Sequence, residues 1–137
     1  MNARKIIIAG LVGSVIAYLL GWLIWGNLLS DIMENYSGSA TGVMRSDSEM
    51  LHAPLAIGHL GFGFLLAVIF GRWASISTFS TGLIAGGAIG FLSVFGSDLI
   101  MLGTTHLMQV EGVIIDIIAG TVSMGLTGGV VGWMLGR

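Results

Sequence analysis

The stretch from Gly90 to Gly120, GFLSVFGSDLIMLGTTHLMQVEGVIIDIIAG, reads as two apolar helices joined by a short polar turn at Thr104 to Gln109. Each arm carries one aspartate in apolar surroundings: Asp98 precedes LIML before the turn, and Asp116 sits between VII and IIA after it. With the turn centred near His106, the carboxyls stand 8 and 10 residues from it, and a rise of about 1.5 Å per residue puts them at similar depth. If both arms cross lipid, each acid costs on the order of 2.5 to 3.5 kcal/mol at the centre of a span, less towards the interface. Two such groups at one depth are expected to meet a partner.

Composition places both arms in lipid. Of 137 residues, 55% are apolar and only 9% charged, and the mean hydropathy is +0.97. Four apolar segments, about 6–29, 53–70, 79–102 and 110–135, are each long enough to cross a membrane as helix. The expected fold is therefore all-α, a single integral membrane four-helix bundle with a long outer loop at 30–51. Arg4 and Lys5 precede the first segment as they would a signal peptide. That segment is long and has no small-x-small site immediately after it, so it is read as a retained span.

Several functions lose support on composition. The chain has no cysteine, which excludes disulfides, thiolate metal sites and cysteine nucleophiles. A net charge of -2 with five basic residues leaves too little positive charge to neutralise a run of phosphates, so no nucleic-acid partner is expected. No GxSxG, HExxH or phosphate-binding loop is present, and the chain is read as not an enzyme.

Charge sets an expected orientation. Arg4, Lys5, Arg72 and Arg137 fall on one side and Arg45 alone on the other, which predicts cytoplasmic termini in a bacterial inner membrane. Trp22 and Trp25 at the outer boundary, with Trp73 and Trp133 at the inner one, fit interfacial aromatic belts. The outer loop, whose SGSATG centre reads as mobile, and the turn at His106 then face outward.

Small residues recur at helical spacing on every span. Span one offers Gly10, Ser14, Ala17 and Gly21; span two His52, Ala56, His59, Gly63, Ala67 and Gly71. Span three offers Gly82, Gly86, Gly90, Ser93 and Ser97 with Asp98 on the flank. Span four has Gly112, Asp116, Gly120, Ser123 and Thr127, then Gly128, Gly132 and Gly136. Small faces let helices approach closely, within one chain or between copies. Turned inward, they would gather His59, Asp98 and Asp116 as a polar or ion site in the outer half, beneath His52, His106 and Glu111 at the boundary. Gly21-Trp22-Leu23 echoes Gly90-Phe91-Leu92, and spans two and four both close with Gly-Arg, a pattern that two αα-hairpins related by a weak parallel repeat would produce.

Three roles fit such a cluster. In the first, the groups satisfy one another and fix helix register in a structural or accessory subunit that self-associates as a homo-oligomer or packs into a larger membrane complex. In the second, they bind an ion, proton or small solute in a channel or transporter. In the third, His52, His59 and His106, with Met44, Met50, Met101 and Met108, hold copper facing the periplasm; axial haem ligation by His59 and His106 is disfavoured by their different depths. No cofactor is expected under the first reading.

GWLIWGNLL in span one, GVMR and EM in the outer loop, GSDLIM with T-x-x-L after it, and IDIIAGTV followed by GGVVGWMLG resemble small four-span bacterial membrane proteins grouped as a domain of unknown function. The resemblance extends over nearly the whole chain through mostly Gly-rich apolar motifs. It implies the four-span architecture, draws notice to Asp116, and carries no activity.

Overall fold

The computed structural model describes residues 1–137. Helix α1, Ala3–Leu23, starts where the Asn2 side chain accepts the Arg4 N–H at 3.1 Å, and it continues through a wider π-type turn over Ile24–Leu28. A short helix α2, Ser30–Asn35, follows. Farther along the loop, Asp47–Glu49 forms one tight turn closed by a reciprocal cap between Ser46 and Glu49. The hydrogen bonds from Ser46 hold the exposed Glu49 carboxyl below its ordinary range.

Helix α3, His52–Val68, accommodates Pro54 in its first turn, where the missing N–H has no intrahelical partner to lose. It runs on through a π-type turn, Ile69–Ala74, and stops at Ser75, whose left-handed φ of 51° ends the helix. Helix α4, Phe79–Thr104, is capped by Thr78, whose hydroxyl accepts the Thr81 N–H at 3.2 Å. Helix α5, Val110–Leu135, completes the chain.

Four continuous helical stretches of 26, 23, 26 and 26 residues result, about 35 to 39 Å each against a hydrocarbon layer of about 30 Å. The protein is all-α with no sheet, a small chain that spans the membrane four times. The second span is longer than the apolar run 53–70 suggests, because helical hydrogen bonding carries on through Gly71, Arg72 and Trp73. Both termini and the α3–α4 turn share one end of the bundle, the terminal end. The loop 30–51 and the α4–α5 turn share the other, the loop end.

The helices pair as two antiparallel hairpins, α1 on α3 and α4 on α5, and α1 also packs along α5. Helix α5 is central: it holds thirteen buried residues, against six on α1, four on α4 and three on α3. The apolar core, Ile6, Ala9, Leu66, Ala67, Phe70, Met124, Val131 and Leu135, joins α1, α3 and α5, mostly in the terminal half. Helix α4 rests almost wholly on α5, and its remaining faces are open. Large apolar side chains such as Ile84, Leu92 and Ile100 project outward there, as lipid contact requires.

Candidate functional site

The α4–α5 seam explains where the carboxyls go. A Cβ added at Gly86 would lie 2.9 Å from the Gly128 Cα, and one added at Gly82 would lie 3.2 Å from the Gly132 Cα. One turn on, a Cβ at Gly90 would meet the Met124 Cβ at 2.5 Å, and beyond it a Cβ at Gly120 would meet Val94 at 2.6 Å. The contacting residues step by four along each helix in opposite directions: 82, 86, 90, 94 on α4 against 132, 128, 124, 120 on α5. The next rung is Asp98 against Asp116, and these two carboxyls lie within hydrogen-bonding reach of each other.

The seam therefore follows one unbroken i, i+4 row on each helix. Ser93 and Ser97, expected on the α4 face, are exposed instead, and Asp98, expected on its flank, is the buried residue. A strict four-residue step drifts around the helix in the opposite sense to the one three-residue step, Gly90 to Ser93, that would bring the serines in.

Asp98 is only 4% exposed. Its Oδ1 accepts a long hydrogen bond of 3.4 Å from the Ser97 hydroxyl, and its buried Oδ2 has no donor among the protein groups. The Asp116 Oδ1 accepts the indole N–H of Trp25, in the π-type turn that ends the first span, at 2.5 Å. Asp98 stands six residues before the end of α4 and Asp116 six after the start of α5, so both lie about 9 Å inside the loop end.

Above the carboxyls the loop is strapped to the α4–α5 turn. Gly38 N–H donates to Leu107 C=O at 2.9 Å, Ala40 N–H to His106 C=O at 3.0 Å, and Gln109 N–H to Tyr36 C=O at 2.9 Å. The Gln109 side-chain amide adds a bond to Ser37 C=O at 2.9 Å. Glycine is required at position 38, since a Cβ there would collide with the His106 carbonyl. The first half of SGSATG is thus tied down, contrary to its reading as a mobile centre.

His59 does not join the carboxyls. It lies between α3 and α1, its Nδ1 at 2.7 Å from Leu55 C=O, its Nε2 against Gly21, and its ring edge-on to Tyr18 and Phe62. Helix α3 meets α1 chiefly and α5 only slightly, so an imidazole on α3 is on the far side of α1 from α4. His52 takes part in a separate contact, 2.9 Å from its Nδ1 to the Tyr18 hydroxyl. His106 is exposed in the strapped turn, and Glu111 is exposed in the first turn of α5, where a negative charge suits the helix N-terminus.

No three of the His, Asp and Glu side chains converge as a metal-holding group, so the copper arrangement drawn from His52, His59 and His106 is not assembled. Trp25 is the residue that sequence reasoning misses as a partner. An interfacial belt accounts for it there alongside Trp22, yet it continues the spacing Ala17, Gly21, Trp25 on the packed side of α1. Trp22 faces out at 62% exposure.

No family model, curated protein or solved structure matches this chain. The likeness to the four-span family of unknown function accordingly rests on the quoted motifs alone.

Proposed function

We propose that the protein is a non-catalytic membrane subunit that works by association in the bilayer, with copies of itself or as an accessory part of a larger complex. The observation that carries this is the packing of α4. It covers α5 with the row from Gly82 to Asp98 and the flanking Phe79, Leu83 and Gly87, and leaves its outward side open, including Gly96 and Gly103, where an added Cβ would meet open space. Helices with open small-residue surfaces are suited to close approach by a neighbour.

The α4–α5 seam leaves no room for a solute between these two helices, being closed by backbone at Gly82, Gly86 and Gly128 and by Met124 and Val94 beyond them. The two main cavities are lateral grooves. One of about 430 Å³ lies between Ile24, Leu28, Ile115 and Ile118, and one of about 310 Å³ lies between Val15, Tyr18, Ala56 and Leu60. In this reading the termini face the cytoplasm and the loop end faces out, with Arg4, Lys5, Arg72 and Arg137 on the inner side of a bacterial inner membrane.

Native mass spectrometry after extraction in mild detergent tests the proposal. A defined homo-oligomer, or a second protein at fixed stoichiometry, is expected; a monomer at all protein concentrations would refute it. The Asp98–Asp116 pair favours a second reading, an ion or proton channel or transporter whose path runs between copies. That reading requires flux in liposomes containing the purified protein alone, lost in Asp116→Asn.

A further inference from the structure

We propose that Asp98 and Asp116 hold one proton between them, with Asp98 as the acid and Asp116 as the carboxylate, and that the pair is a reversible proton-binding site within the membrane. This goes beyond the associative role and does not depend on it.

The donors around the pair define the assignment. An indole N–H can only donate, so the Asp116 Oδ1 is an acceptor towards Trp25. The Ser97 hydroxyl shares its one proton between Val94 C=O at 3.1 Å and the Asp98 Oδ1 at 3.4 Å. The buried Asp98 Oδ2 is left with no donor, and the Asp98 carboxyl interacts with that of Asp116. Two ionised carboxylates are acceptors only and repel, and no Lys or Arg acts on Asp98. A single proton on the Asp98 Oδ2, donated in a hydrogen bond to Asp116, removes the repulsion and satisfies the orphaned oxygen together.

A bound metal ion fits the same atoms poorly. Calcium takes about six to eight oxygen ligands. Here there are two carboxyls and one hydroxyl, with an N–H donor aimed at one of the carboxyls, and no third acid or histidine completes the set.

The titratable groups on the surrounding elements are few. Asp116 is the one on α5 that faces Asp98, and Trp25, in the π-type turn after α1, does not titrate. His59 on α3 and Tyr18 on α1 meet each other between those two helices. Towards the loop end, Tyr36 rests on Gly112, one turn above Asp116, with His106 and Glu111 beyond. Uptake adds one proton to the Asp98 Oδ2 and release returns it to water, with no other bond made or broken. The short way out, about 9 Å, leads past the strap of residues 36–40.

Infrared spectroscopy of the full chain in lipid nanodiscs, with aspartate carrying a ¹³C side-chain carboxyl, tests the site. At pH 7 the wild type is expected to show a carboxylic-acid C=O band that shifts with the label, disappears on alkaline titration and is absent in Asp98→Asn. The other two aspartates, Asp31 and Asp47, are exposed in the loop. Only carboxylate bands at pH 7 would overturn the proposal, as would a band that titrates at the ordinary aspartate value of about 3.9. Loss of the band on adding sodium at constant pH would assign the site to a cation and overturn it as well. The wild-type titration is decisive even if Asp98→Asn does not fold.

Discussion

Where α4 meets α5 the nearest atoms across the seam are largely backbone, whereas where α1 meets α3 they are largely side chains. Gly82, Gly86 and Gly128 face carbonyls and Cα atoms of the opposite helix. In the first hairpin Gly10 faces the Phe64 ring, Gly71 faces Ile6 and Gly21 faces His59, while backbone meets backbone only around Gly63, which faces Gly10 and Ser14 and is approached by Gly13. Backbone contacts cannot rotate out of the way, so the second hairpin has one permitted register. Side-chain contacts yield, and the first hairpin can adjust. The acids occupy the rigid hairpin, while His52 and His59 belong to the adjustable one.

The same substitution made in each hairpin separates them most strongly. Gly86→Ala should destabilise the protein by about 3 kcal/mol or more, because the added methyl meets the Gly128 Cα and the Met124 carbonyl. Gly71→Ala should cost less, about 1 to 2 kcal/mol, since the new Cβ meets the Ile6 side chain at 2.7 Å rather than backbone. Unfolding in mixed micelles measures both, and equal losses would erase the distinction between the hairpins.

Polar removal sharpens it next. Trp25→Phe takes away the hydrogen bond that ties α1 to the carboxyl pair and should cost about 1 to 2 kcal/mol. Tyr18→Phe, which removes the Tyr18–His52 contact between exposed groups, should cost less than about 1 kcal/mol in the same assay.

The strap gives a local effect. Gly38→Ala should release residues 36–40 from the α4–α5 turn, because the new methyl collides with the His106 carbonyl. The N–H groups of Ala40 and Gln109 should then lose exchange protection while the interiors of α4 and α5 keep theirs.

The smallest effect lies outside the membrane. Glu49→Gln weakens the reciprocal cap with Ser46, a change confined to the turn at Asp47–Glu49. Because the folded Glu49 carboxyl titrates below its ordinary value, its contribution is present above the unfolded value and fades as pH falls through the folded one. Exchange at the Glu49 amide, followed against pH in wild type and variant, should converge in acid.

Span number, the hairpin pairing of neighbours and the matched depth of Asp98 and Asp116 were legible in the sequence, because apolar length and helical rise are local properties. The inward turn of Gly82, Gly86 and Gly90 was legible for the same reason. Whether the row continues through Val94 to Asp98, or through Ser93 to Ser97, depends on how α5 crosses α4, which no local pattern fixes. His59 was misplaced because its stripe on α3 is real but faces α1, and which helix a small face meets is set by the whole bundle. Trp25 was hidden by its position near the boundary, where an aromatic belt gives an equally good account of a tryptophan.

The register of the α4–α5 seam supports the rest, and disulfide trapping tests it directly in a chain that has no cysteine of its own. In membranes, the Asp98→Cys/Asp116→Cys double variant should oxidise to an intramolecular disulfide, seen by mass spectrometry as a linked pair of peptides from one chain. The His59→Cys/Asp116→Cys variant should not. A disulfide in the second variant, or its absence in the first, would contradict the account.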